Sequence, residues 1–265
     1  MKRTLDRVIS QAGTGSRTEA RQWILQGRVA VNGTVITEHD HWVDPGRDRV
    51  TLDAKPVVRQ ERVYVLLYKP KGYVSTYKDP DGRQTVYDLI PEIGQFVGTV
   101  GRLDLDTSGL LLLSNDHAMA DRITDPVSHV EKEYLIKASH LLTDEQLDQL
   151  RKGVALDDGP TRPAGVERVR DSGKYTHFTI VLTEGRNRQV RRMVEAIGSH
   201  VLKLVRTRIG PLTLAGLTIG GYRHLTPAEV RQLAELSGTG EPGLRPPKTQ
   251  NRNAGPTAQS RRPRR

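Results

Sequence analysis

Two carboxylates, Asp104 and Asp106, stand two residues apart in the stretch Thr99–Asp116, TVGRLDLDTSGLLLLSND. Acids beside an apolar run can take a proton as a general base or attack an electron-poor carbon. Two carboxylates around a glycosidic bond would also suit a glycosidase, but side chains at i and i+2 of one short loop are badly placed on opposite sides of a sugar. The plainer reading is that Asp106, Thr107, Ser108 and Gly109 form a turn, with side-chain oxygens bonding nearby NH groups and glycine supplying the awkward dihedral. That reading covers Asp106. Asp104 directly follows Arg102-Leu103 at a strand exit, where a rigid element aims a side chain into a cleft.

Several elements must position these groups. Leu110–Leu113 is too short for a membrane span and right for a buried strand. Upstream, VYVLLYKP reads as a strand that Pro70 and Gly72 break into the loop KPKGYVST, bringing Lys69 and Lys71 with it. Downstream, Asn115 or Asp116 caps a short helix through Ala118–Ile123, and EKEYLIKA alternates as a strand carrying Tyr134, for which packing on a sheet face is the ordinary role. Thr143 caps a helix to Leu150 with Gln146 at the third position and Gly153 after it. Strands follow at Gly165–Arg170 and His177–Leu182. EGRNRQVRRMVEAIG then reads as a helix capped by Asn187, apolar at Val190, Met193, Val194 and Ile197. Arg188, Arg191 and Arg192 in its first turns oppose the helix dipole and require nearby acids, solvent or an anionic ligand. Glu184 and Glu195 are the ordinary candidates. A last helix starts at Thr226-Pro227 and runs to about Leu236.

The first 60 residues form a module of their own. Leu5, Val8, Ile9 and Ala12 fall on one helical face, closed by Gly13; Ser16 and Glu19 form a capping box for a second helix burying Ala20, Trp23 and Ile24. RVAVNGTVI is a hairpin around Asn32-Gly33, and Val50–Leu52 a last strand. Arg3, Arg7, Arg17, Arg21 and Arg28 decorate these elements with forks suited to phosphate, although scattered surface arginines need no explanation one by one.

The net charge is +10, and the final 29 residues, 237–265, contribute six of it, as expected where appendages hold a polyanion. That segment has Leu244 as its one large apolar side chain and is expected to be a disordered basic tail. The absence of cysteine excludes disulfides, thiolate nucleophiles and cysteine-ligated zinc; the eight histidines lack zinc-site spacing, and no phosphate-loop or dinucleotide motif occurs. No metal and no small-molecule cofactor are expected. The N-terminus has no apolar signal core, so the expected location is cytoplasmic, away from membranes.

GRLDLDTSGLLLLSND resembles the signature of the pseudouridine synthases, in the branch that modifies ribosomal RNA. His117 and Ser114 depart from the branch's commonest Gly and Thr without touching a reacting group. KPKG resembles the first motif of the same family and EGRNRQVRRM its third. The resemblance implies that Asp104 is the essential catalytic residue, that Tyr134 in its Lys132-Glu133-Tyr134 context stacks on the target base, and that Arg191 pairs with Asp104. It also implies an apolar wall at Val201 or Leu202, with Val201 preferred. Arg102 then joins Tyr134, Arg191 and Val201 in binding the substrate, as a clamp on its backbone, and Lys69, Lys71, Arg188 and Arg192 fall to RNA contact. GSRTEARQWILQGRVAVNGTVI resembles the RNA-binding domain named after ribosomal protein S-four, which implies that the N-terminal arginines hold folded RNA.

The implied fold is α+β: a long mixed, mainly antiparallel sheet with flanking helices and a central cleft, preceded by a small α+β RNA-binding domain. The expected division is 1–58, a linker at 59–62, a catalytic domain at 63–236 and the tail. The implied activity is isomerisation of a uridine to pseudouridine in ribosomal RNA, free or in a precursor subunit, by a monomer. EGRNRQVRRM followed by IGPLTL resembles the large-subunit enzymes more, while TSG fits the small-subunit type equally well. A noncatalytic rRNA-binding or assembly factor is the rival class. The resemblance favours Asp104 removing a ribose proton over covalent attack.

Overall fold

The computed structural model describes residues 2–236; the expected basic tail lies outside them. The N-terminal unit runs β1 (Arg3–Thr4), α1 (Leu5–Gln11), α2 (Arg17–Leu25), β2 (Val29–Val31), β3 (Thr34–Val35), β4 (Trp42–Val43), β5 (Val50–Leu52) and β6 (Lys55–Pro56). Its core follows from the helical spacing: Leu5, Ile9, Ala20 and Ile24 pack on Val29, Val31, Val43 and Val50. The capping box is present, with Ser16 and Glu19 satisfying each other's main-chain NH groups. Asn32 and Gly33 both take positive φ, 52° and 87°, the geometry that matches a two-residue hairpin to strand twist. Trp23, expected inside, is half-buried.

The larger unit continues through β7 (Tyr64–Lys69), β8 (Gly98–Val100), β9 (Ser108–Ser114), α3 (His117–Thr124), β10 (Lys132–Ala138), α4 (Asp144–Lys152), β11 (Ala155–Leu156) and β12 (Gly159–Pro160). It ends with β13 (Gly165–Ser172), β14 (Tyr175–Leu182), α5 (Gln189–Ala196), β15 (Val201–Ile209), β16 (Leu212–Thr213), β17 (Tyr222–His224) and α6 (Pro227–Leu236). Nine of these strands form one sheet in the order β13-β14-β10-β15-β9-β7-β17, with β16 on β15 and β8 on β9. The β15–β9 pair is parallel and the other pairs are antiparallel.

Every residue of β9 is buried because both faces of the sheet are covered. Leu110 and Leu112 join Met119, Ile123, Ile209 and Leu233 on one face. Leu111 and Leu113 join Val65, Leu67, Val97 and Leu103 on the other. A third cluster brings Leu147, Val190, Met193 and Val194 against Ile136, Phe178 and Ile180. Tyr134 packs against this cluster and against the one that holds Leu103, so it marks their junction. The two units meet directly: Phe96 N donates to Gly13 O, Gln60 N to Ala12 O, and the Tyr77 hydroxyl to Glu19 Oε1.

Two local expectations change. The turn at Asp106–Gly109 is shorter, because Ser108 and Gly109 already pair with Val205 and Arg206 of β15. A Cβ on Gly109 would lie 2.3 Å from Arg206 O, so the strands come this close only at glycine. Helix α5 is not capped by Asn187: it begins at Gln189 after Arg188 in the left-handed region, φ 47°. No side chain caps its first NH groups, and the Gln189 side chain folds back to accept from Arg186 N at 3.0 Å, which holds the turn before the helix. None of the helices described is long and apolar enough to cross a membrane.

Candidate active site

The loop between β8 and β9 is fixed through its main chain. Leu103 is buried, and Ser75 Oγ donates to Leu103 O at 2.9 Å and accepts from Leu103 N at 3.2 Å. Gly72 N donates to Leu105 O at 2.9 Å, and Thr107 N closes the turn on Asp104 O at 3.1 Å. From below, Lys69 Nζ donates to Asp104 O (2.9 Å), Thr107 O (2.8 Å) and Pro70 O (3.2 Å). With the backbone held at both ends, the Asp104 and Asp106 carboxylates stay 41% and 48% exposed.

Lys69 is therefore not an RNA contact, as its sequence context suggests, but a fully buried staple of the aspartate loop. Burial pulls its ammonium down to about 8, against the charges of Asp104 and Asp106, which favour protonation. Lys71, two residues on, is exposed.

The second wall is the α5 arm. Arg192 forms a two-pronged bond to Asp158, at 2.8 and 3.0 Å, and Arg186 donates to Gly159 O and Pro160 O. Arg192 is thus engaged by an acid rather than left for RNA. Arg191 is buried, and its partner is Asp106, with Nη2 2.8 Å from Oδ2. The expected pairing with Asp104 is not formed. The physical reason is the loop's register: Arg191 Nη2 also reaches Asp106 O (3.3 Å) and Thr107 Oγ1 (3.4 Å), which places it at the C-terminal end of the loop. Asp106 accordingly does more than close a turn. Arg188 Nη1 stands 3.7 Å from both carboxylates, so it, not Arg191, is the cation nearest Asp104 among the ion pairs.

Val201, half-buried at the start of β15, lies against the α5 core and its carbonyl accepts from Arg191 at 3.4 Å; Leu202 points outward, 46% exposed. Arg102 is exposed beside the loop. In the N-terminal unit Arg17 and Arg21 both hold Asp6, at 2.9 and 2.8 Å, Arg28 holds Asp53, and Arg3 donates to Gln11. Arg17, Arg21 and Arg28 remain 48%, 46% and 41% exposed, and Arg7 is exposed as well, so this face keeps its positive field.

Sequence reasoning passes over Arg206, which is 4% exposed and donates from Nε to Leu110 O at 2.7 Å. Lys203 and Arg208 accompany it in the strand VLKLVRTRI, so nothing in the sequence singles it out; burial does.

A pinned aspartate loop, a tyrosine at the junction of two cores and an arginine-bearing helix lie together on one long mixed sheet behind a small helix-and-hairpin unit. Residues 63–196 match the family model for RNA pseudouridylate synthase, and residues 3–47 that of the S4 domain. The chain belongs to the RNA pseudouridylate synthase family and is a pseudouridine synthase.

Among its relatives is the ribosomal large subunit pseudouridine synthase B of Bacillus subtilis, 43% identical over 239 residues, 89% of this chain and 98% of that one. The Pseudomonas aeruginosa protein of the same name is 36% identical over 277 residues, 98% of this chain and 71% of that one. A solved pseudouridylate synthase superposes with a TM-score of 0.63 at 31% identity, covering 87% of this chain and 99% of that chain.

Proposed function

We propose that this enzyme isomerises a uridine of large-subunit ribosomal RNA, with Asp104 as the group that moves the proton. The names of the relatives at 36–43% identity support the large-subunit substrate over the small-subunit one. The division that the separate cores favour is an RNA-binding unit at 1–58, a linker at 59–62 and a catalytic unit at 63–236. The substrate is ribosomal RNA, free or within a precursor subunit, bound by a monomer of the chain.

One observation carries the assignment of Asp104. Its carboxylate is partly exposed and, among the described residues, has no ion pair shorter than 3.7 Å, while Asp106 is engaged by Arg191 at 2.8 Å. The target uridine leaves its stack, and its base lies on Tyr134 against Val201. Asp104 takes the ribose 2′ proton, the C1′–N1 bond breaks with its electrons on the base, and a C1′–C2′ double bond remains. The base turns, C5 bonds to C1′, and the 2′ proton returns. Loss of the C5 proton and protonation of N1 complete an isomer, so the balance requires no cofactor.

The test uses ribosomal RNA tritiated at uracil C5. Wild-type enzyme is expected to release tritium to water, and Asp104→Asn to release it at least about a thousandfold more slowly. Equal rates would move the proton chemistry off Asp104, and release from small-subunit RNA alone would overturn the substrate.

A further inference from the structure

Four neighbouring strands set one residue each in a single line across the sheet. Tyr134 on β10 pairs with Arg206 on β15, Arg206 with Gly109 on β9, and Gly109 with Lys69 on β7. Register partners project from the same face of a sheet. Lys132, two residues before Tyr134 on a strand paired without interruption to β14, shares that face. Three cations therefore share the tyrosine's face of the sheet: Arg206, buried, on the adjacent strand; Lys132, half-buried, on the same strand; and Lys69, buried, three strands away.

None of the three has an ion pair among the described residues. Lys69 spends its protons on carbonyl oxygens and Lys132 donates to Val130 O at 3.0 Å. Arg206 uses Nε on Leu110 O, and its Nη2 is buried without a partner. The charge of Arg206 bears on both lysines and disfavours their protonation. Asp104 and Asp106 offset Lys69 but already face Arg188 and Arg191. Arg206, buried with one donor unmatched, is the least favourable of the three, and an anion brought to it in the course of the reaction would complete it.

The reaction proposed above, on which this inference rests, produces such an anion. Once Asp104 has taken the 2′ proton and the C1′–N1 bond has broken, its electron pair resides on uracil, spread over N1, O2 and O4. That charge persists until C5 bonds to C1′. We infer that Arg206, with Lys132 beside it, forms an electrostatic floor under Tyr134 that stabilises the detached uracil anion. A fixed charge in a dry site acts on charge that develops during reaction and little on the neutral base, so it favours the transition state over the bound substrate. Gly109 allows this arrangement, because any side chain there would hold β15 and its arginine away from β9.

Single-turnover tritium release at saturating enzyme, together with RNA affinity at two salt concentrations, tests this with the full chain. Arg206→Met is expected to slow release about a hundredfold with unchanged affinity. Arg206→Lys, which keeps the charge, is expected to recover to within about tenfold of wild type, and Lys132→Met to slow release about tenfold. Equal defects in Arg206→Met and Arg206→Lys, with Lys132→Met at the wild-type rate, would make Arg206 a packing residue and overturn the inference. Weaker binding with a flatter salt dependence and an intact rate would make it a phosphate contact, which also overturns it. If Arg206→Met does not fold, Lys132→Met decides alone: a slowed rate supports the floor and a wild-type rate removes it. Wild-type release is the internal control, since without it the ribosomal substrate reading falls and takes this inference with it.

Discussion

Asp6 and Lys69 are both fully buried, one in each unit, and their surroundings could hardly differ more. Burial pushes the Asp6 carboxyl up, but the Thr4 hydroxyl, Arg21 and Arg17 outweigh it and hold the group at about 2. Lys69 meets carbonyl oxygens, and burial drags it down to about 8. Asp6 is thus a completed charge whose two arginines stay near the surface, where a polyanion can still feel them. Lys69 is an uncompleted charge, retained where its three donors pin the backbone under Asp104. The N-terminal unit uses charge to hold its own helices together and to present a field; the catalytic unit keeps Lys69 without an ion pair among the described residues, where it holds the loop that carries Asp104.

Substitutions can break this contrast. The largest effect outside Asp104 and the cationic floor is expected at Lys69→Met, which removes the staple from both ends of the aspartate loop. Tritium release should fall about tenfold to a hundredfold, the usual effect of displacing a reacting group by about 1 Å. Its stability should respond with a defined sign. A lysine whose folded value lies below its unfolded value of 10.5 opposes folding while charged, and that penalty is relieved as pH rises from about 8. Wild type should therefore gain up to about 3 kcal/mol relative to Lys69→Met between pH 8 and 10.5 in denaturant titrations, against which a flat difference would count.

The second effect has the opposite pH sense. Asp6 is held below its unfolded value of 3.8, so its contribution is present above about pH 4 and lost as pH falls through about 2. Asp6→Asn should cost about 2 kcal/mol at neutral pH and remove this acid dependence. Both tryptophans, Trp23 and Trp42, lie in the N-terminal unit, so their fluorescence reports on it. Loss of the acid dependence in the catalytic unit's signals instead would overturn the assignment.

The smallest effect is expected at Arg7→Ala, on the exposed face of α1. Stability should stay within about 0.5 kcal/mol and the rate should not change, while the salt slope of RNA binding should fall by at most about one. A change in rate would show that this unit takes part in the chemistry.

Much of this was legible in the residues themselves. Both Ser16–Glu19 and Thr143–Gln146 form their capping boxes, because such boxes need four consecutive residues and nothing else. The leucines after Gly109 form the buried strand, since a run apolar at every position fits a strand covered on both faces. The left-handed start of α5 was not legible: Asn187 is the better cap by type, and only the fold of Glu184–Gln189 against β12 hands that place to Arg188.

The sequence by itself determined the parts list of this enzyme: the aspartate loop, the tyrosine strand, the arginine helix and the small basic unit ahead of them. Each rests on spacing within one segment. Tertiary structure alone decided the partnerships. Arg191 and Asp106 lie 85 positions apart, and which of two carboxylates Arg191 meets depends on where the loop's backbone is anchored. The same holds for Arg206, one of three cations on β15 with Lys203 and Arg208, until pairing with β10 on one side and β9 on the other sets it beside Tyr134 and Gly109. Local pattern fixes which side chains share a face, but long-range register fixes which charges face each other, because those partners lie on segments far apart in sequence and meet only once strands and loops are paired.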